Sequence, residues 1–113
     1  MPVKNRFAEL QKEISEWRHD FHAHPEILFE THRTSKIVEQ KLKSFGCDSV
    51  IFGLGRTGVV GIIHGRENTK DSVIGLRADM DALPIEETTG LSYSSNIKGC
   101  LLYTSPSPRD NGR

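Results

Sequence analysis

The densest group of chemically capable side chains is Arg77-Ala78-Asp79-Met80-Asp81-Ala82-Leu83-Pro84. It follows Val73-Ile74-Gly75-Leu76, which reads as a buried strand. Side chains alternate along an extended chain, so Arg77, Asp79 and Asp81 should project to one side. Carboxylates and a guanidinium at the C-terminal end of a strand stand where open α/β sheets place their sites. Close carboxylates repel unless a cation or proton lies near them, so the pair suits a divalent metal or a polar network supporting one. A solvated loop, or a structural ion pair from Arg77, accounts for the same residues without chemistry.

Other candidates are weaker. His19, His22 and His24 cluster, with His32 just beyond. His19 and His22 share a helix face at i, i+3, a spacing that zinc sites use, but no Cys or Glu stands at metal-ligand spacing, and imidazoles at a helix C-terminus are better explained by the helix dipole. His64 ends an apolar run and reads as a boundary residue. Gly53-Leu54-Gly55-Arg56-Thr57-Gly58 fits G-x-G-x-x-G, yet the Val59-Val60-Gly61-Ile62-Ile63 that follows is strand-like. A dinucleotide site needs a helix to open there, so the glycines better suit a turn between strands. Cys47 has no basic neighbour close in sequence to activate it and reads as a packed or partly exposed thiol. Glu86-Glu87 reads as a solvated pair on a loop.

The elements that must position these residues follow from periodicity. Phe7, Leu10, Ile14, Trp17 and Phe21 step by three and four, the apolar face of a helix, and its aromatics are expected in a core. His24-Pro25 closes that helix, because the residue before proline leaves the helical region. A second helix is predicted from Thr31 as N-cap, with Ile37, Val38, Leu42 and Phe45 on one face and Gly46 as its left-handed C-cap. Val50-Ile51-Phe52, Val59 to Ile63 and Val73 to Leu76 read as three strands. The fold class is therefore α/β, with only the opening elements of a domain present. With 113 residues there is room for one small domain at most.

Fifteen basic residues balance fifteen acidic ones, so no charge excess points to nucleic acid. The polar start, Met1 to Leu10, has no apolar signal segment, and no apolar run is long enough to span a membrane. The expected location is cytoplasmic, with Cys47 and Cys100 as reduced thiols. From Cys100 the chain loses all period: Cys100 to Asp110 match one reading frame of a transposase adapter used in sequencing libraries. Residues 100–113 are therefore expected to be a non-native tail and residues 1–99 the domain proper; Cys100, at the junction, fits either side.

Trp17-Arg18-His19-Asp20-Phe21-His22-Ala23-His24-Pro25-Glu26 resembles the opening signature of the D branch of peptidase family M-twenty, which includes hippurate hydrolases and N-acyl-amino-acid amidohydrolases. Gly55-Arg56-Thr57-Gly58-Val59-Val60-Gly61 resembles its next block, and Arg77 to Pro84, Ile85-Glu86 and Thr89-Gly90-Leu91 its strand-end motif. The resemblance runs in order from about Asn5 to Gly99. It implies the N-terminal part of a two-metal amidohydrolase catalytic domain, cut short. It also implies divalent metal ions of zinc or manganese type, a small-molecule N-acyl amino acid substrate, and a full-length protein that can form a homo-oligomer. In the family a metal-bound water attacks the amide carbonyl and a glutamate acts as general base. The His-Ala-Cys-Gly-His-Asp ligand block, expected within a few residues of Gly99, is absent, as is the catalytic Glu-Glu block, which Glu86-Glu87 does not replace. No catalytic residue or confirmed metal ligand remains, and none of the metal is expected to bind this chain tightly. In related metallopeptidases a His-x-Asp motif occupies this strand end; by resemblance Asp79 lies where its histidine sits and Asp81 matches the aspartate that orients it. Arg77, Asp79 and Asp81 are thus expected to support a site rather than ligate. The alternative is a non-enzymatic nucleotide-binding or interaction module using the Gly53–Gly58 loop. Sequencing the source DNA across the Gly99 codon without transposase adapters should show the frame continuing into His-Ala-Cys-Gly-His-Asp. A genomic frame that ends in Ser-Pro-Ser-Pro-Arg-Asp-Asn-Gly-Arg would overturn the tail assignment.

Overall fold

A computed structural model describes residues 2–67, 71–97 and 99, with side chains from residue 5 onward. The tail assigned to 100–113 lies outside the described residues. Those described fall into two units: the chain up to Pro25 together with the stretch from Ala82 on, and Glu26–Asp81.

The first unit is led by helix α1, Pro2–Ala23. Its end falls where His24-Pro25 requires, and Pro25 is buried. The apolar stripe is not the core that its spacing suggested: Phe7 is 65% exposed and Ile14 46%, while Leu10, Trp17 and Phe21 are half-buried. A stripe becomes a core only where something covers it. Here cover gathers at the C-terminal turns, where the amide of Asn96 donates to the Ala23 carbonyl and the Tyr93 ring stacks on His19. Ala82 of this unit is also buried, 3% exposed.

The second unit is a helix on a hairpin. Helix α2, His32–Ser44, packs against strands β1, Ser49–Leu54, and β2, Gly58–Ile62, which pair antiparallel. Both ends of α2 are closed by defined groups. At the C-terminus Gly46 has φ +87°, its amide donates to the Lys43 carbonyl, and the Cys47 amide reaches back to Leu42. This is the Schellman arrangement, and it demands a residue that tolerates the left-handed region. At the N-terminus Thr31 occupies the N-cap position, but its hydroxyl does not cap. Glu26 does so from outside: its Oε2 accepts from the Arg33 amide at 3.0 Å and its Oε1 from the Thr34 amide at 2.6 Å. Burial pushes the Glu26 carboxyl up, but the amide donors, the Thr34 side chain and the nearby His32 outweigh it, and the pKa ends below its ordinary value of 4.5.

The hairpin joins Leu54 to Gly58 through three residues, with Gly53 as an extra residue between the Phe52–Val59 and Leu54–Gly58 pairs. At its open end the Asp48 amide donates to Ile62, and the His64 amide donates to Asp48 Oδ2. Cys47 is a half-buried free thiol, its Sγ seated against Gly61. The third expected strand, Val73 to Leu76, does not form: no ladder is present there, and Val73, Ile74 and Leu76 are 92%, 89% and 96% exposed. Its sequence has strand propensity, but a strand needs a neighbour for its amides and carbonyls, and no described segment pairs with it.

The Glu26 cap makes a stability prediction. Glu26→Ala should cost roughly 1 kcal/mol, the scale of a lost helix cap. A carboxyl held below its ordinary value stabilises fully above that value, so this contribution should fade as pH drops below about 4.5. Urea melts followed by helix ellipticity at neutral and acid pH would check it, the gap between variant and unmodified chain narrowing in acid.

Candidate functional site

Arg77, Asp79 and Asp81 lie together along a cleft of about 410 Å³ in the helix–hairpin unit. Arg77, Asp79 and Asp81 line one side, and Leu28, Phe29 and the hairpin loop the other. Arg77 Nη2 lies 2.7 Å from Asp79 Oδ1, the same-side placement expected for residues two apart in extended chain. The pair is open to water, with side chains 85% and 49% exposed, so it orients Asp79 more than it stabilises the fold. Asp81 is exposed on the same lining. The segment is thus an open edge rather than the end of a buried strand, as its sequence had suggested.

The cleft is shaped by a buried hydroxyl pair. Thr31 Oγ1 and Thr57 Oγ1 are 2.6 Å apart, with the residues 2% and 7% exposed, and they tie the start of α2 to the hairpin loop. The loop itself has a structural explanation for its glycines. A Cβ on Gly58 would come within 2.5 Å of the Leu54 carbonyl oxygen, so the hairpin closes only around glycine there. A strand, β2, follows the loop, so no helix N-terminus is placed to hold a phosphate. Arg56, with φ +85°, stacks its guanidinium over the Phe29 ring, 5.8 Å from the centroid.

His19, His22 and His24 make contacts within the first unit, while His32 lies in the second. His19 stacks on Tyr93 with ring centroids 3.7 Å apart, His24 Nδ1 lies 2.9 Å from the Asp20 carbonyl, and His22 Nε2 lies 2.8 Å from Glu87 Oε1. Glu87 is not the solvated residue its sequence suggested: its side chain is 4% exposed. The Thr89 hydroxyl, the Ser95 amide and His22 together hold its carboxyl well below the usual range, at about 2. Its contact with α1 has no signal near Glu87 in sequence, since His22 stands 65 residues away. Thr31 was expected as a helix cap, and its bond to Thr57, 26 residues on, was not foreseen; nor was the capping of α2 by Glu26, seven and eight residues before the amides it accepts from. Among the described residues no three His, Cys, Asp or Glu side chains are grouped to hold a metal ion. No helix among them is long and apolar enough to cross a membrane.

Comparison with known proteins bears on what this arrangement belongs to. The chain is 48% identical over 93 residues to a hippurate hydrolase of Campylobacter jejuni, an alignment covering 82% of this chain and 24% of that protein. It is 32% identical over 99 residues to an N-acyl-L-amino acid amidohydrolase of Geobacillus stearothermophilus, covering 88% and 26%. Over most of its own length the chain is thus similar to hydrolases of peptidase family M-twenty. A putative glutamate–cysteine ligase 2-3 of Rhodococcus jostii is also 44% identical over 92 residues, 79% of this chain, but the match is 11% of that protein, most of which lies outside it. No family model matches the chain. The chain spans about a quarter of the length of the two hydrolases it matches.

Removing one partner of the Thr31–Thr57 pair should leave the other hydroxyl buried and unsatisfied, at about 1–3 kcal/mol, whereas replacing both with valine should cost less than the two single changes together. A double-mutant cycle on Thr31→Val and Thr57→Val by urea unfolding tests this; strict additivity would mean that the pair does not join the loop to α2.

Proposed function

We propose that the whole protein hydrolyses the amide bond of N-acyl amino acids such as hippurate, and that this chain is the opening part of its catalytic domain. The observation that carries the reading is the 48% identity to a hippurate hydrolase over most of the chain. It is supported by the motif order and by the meeting of Arg77, Asp79 and Asp81 on one cleft. The glycine loop as a nucleotide site is not favoured, because it closes a hairpin.

The reaction of such an enzyme depends on divalent metal, of zinc or manganese type. The residues present here do not fit such a metal by themselves. Asp79 already has Oδ1 engaged by Arg77, and no cluster of three donor side chains accompanies it among the described residues. A zinc site with a reactive water takes three protein ligands, so the ligand set must come from the remainder of the protein. The role of this chain is then to support that site. Arg77 holds one carboxylate oxygen of Asp79, leaving the other free to accept, and Asp81 presents a carboxylate on the same lining. A carboxylate placed there can orient a neighbouring ligand and raise its basicity. The chain alone is proposed to be inactive.

Two assays test the reading. The complete protein, supplied with zinc or manganese, should release glycine from hippurate, while the purified 113-residue chain should not exceed the buffer-plus-metal rate. In the complete protein, Asp79→Asn and Asp81→Asn should each lower metal affinity or turnover roughly 10- to 100-fold. Turnover by the chain alone would refute its inactivity, and variants indistinguishable from the unmodified enzyme would refute the supporting role.

A further inference from the structure

We propose that residues 87–96 form a strap fastened to the C-terminal turns of α1 by a Glu87–His22 clasp, and that the strap opens and closes as one unit. The proposal is independent of the catalytic reading. It rests on the convergence of contacts at one buried carboxylate. Glu87 Oε1 accepts from the Ser95 amide at 2.8 Å and lies 2.8 Å from His22 Nε2, while Oε2 accepts from the Thr89 hydroxyl. An ionised carboxylate can only accept, so His22 donates through Nε2. One side chain therefore pins both limbs of its own segment, at Thr89 and Ser95, and joins them to α1.

The contacts around the clasp extend the same joint. The Asn96 amide donates to the Ala23 carbonyl, next to the amide that Glu87 holds. Tyr93 lies flat on His19 with rings 4° from parallel, presents its ring at 80° to His22, and has the Arg18 guanidinium 5.8 Å from its centroid. The strap has no helix or strand of its own, so these contacts and its short turns are what hold it. With His22 and Glu87 side chains only 12% and 4% exposed, losing one partner strands the other without water to replace it.

The clasp is sensitive to acid, and the sign is fixed. The Glu87 carboxyl is held at about 2 against an ordinary 4.5, so its stabilisation is complete above about pH 4.5 and is lost as pH falls toward 2. The other charged or titratable groups at the joint are Arg18, His19, Asp20 and His24 on α1 and Glu86 and Tyr93 on the strap side. Asp20 is paired with His24, Nδ1 to Oδ1 at 3.4 Å, and Glu86 accepts from the Gly99 amide, so neither carboxylate duplicates the Glu87 contacts.

Amide hydrogen exchange on the intact 113-residue chain tests the strap, with Glu87→Gln against the unmodified protein. Protection at Ser95 and Asn96 should fall together by about tenfold, and the Tyr93 ring signals should move, while the Phe45 amide at the end of α2 keeps its protection. Unchanged exchange at Ser95 and Asn96 would overturn the proposal. A variant that loses protection everywhere shifts the decision to the unmodified chain, titrated from pH 7 to pH 2. Joint movement of the Tyr93, Ser95 and His22 signals below about pH 4.5, with its midpoint raised in Thr89→Val, supports the clasp; independent movement of the three, or none, overturns it.

Discussion

Every backbone amide and carbonyl must find a partner, and this requirement decides which parts of the chain take regular form. The hairpin supplies its own partners, β1 and β2 pairing through a three-residue loop. Helix α2 supplies most of its bonds internally, and its two ends are finished by groups outside it, Glu26 at one and the Gly46–Cys47 turn at the other. Residues 73–76 have the side chains of a strand but no pairing neighbour among the described residues, so they run without a ladder and leave Val73, Ile74 and Leu76 in water. The difference lies in tertiary supply, since the β-branched content of the three apolar runs is similar.

The same requirement shapes the cleft. Its hairpin side is held by the buried Thr31–Thr57 pair and by the close approach of Gly58 to Leu54. Its other side, Arg77 to Asp81, is ordered locally by an ion pair exposed to solvent. Such a pair contributes little to stability, because water screens it and two long side chains lose freedom. What it does determine is direction: one oxygen of Asp79 faces Arg77, and the other is left available.

Local signals in the sequence were legible and distant ones were not. Gly46 was readable as a helix terminator because left-handed backbone favours glycine at that one position, and the structure has it at φ +87°. The Gly53–Gly58 loop was readable as a turn because the following residues have strand character. Thr31 was placed correctly at the start of α2 but given the wrong task, since cap preference reports what a threonine can do and not where Thr57 lies. Glu87 shows the limit most clearly. Its neighbours in sequence suggest solvent, and only the fold, by bringing His22 and Ser95 to it, makes it buried. The stripe on α1 erred in the opposite direction, since period alone cannot say whether a covering element is at hand.

The carboxylates of this chain divide by how much of their accepting capacity is already used. Glu26 gives both oxygens to the amides of α2, and Glu87 gives both to Thr89, Ser95 and His22. Each is committed to holding the fold, and a further cation could bind there only by displacing donors that would then need new partners. Asp79 and Asp81 are exposed on the cleft, with one oxygen of Asp79 engaged by Arg77. A carboxylate with unused capacity can accept a proton or a donor from whatever is brought against it, at little cost to the fold that carries it. That separation assigns Glu26 and Glu87 to architecture. It leaves Asp79 and Asp81 on the cleft with accepting capacity that the fold does not use.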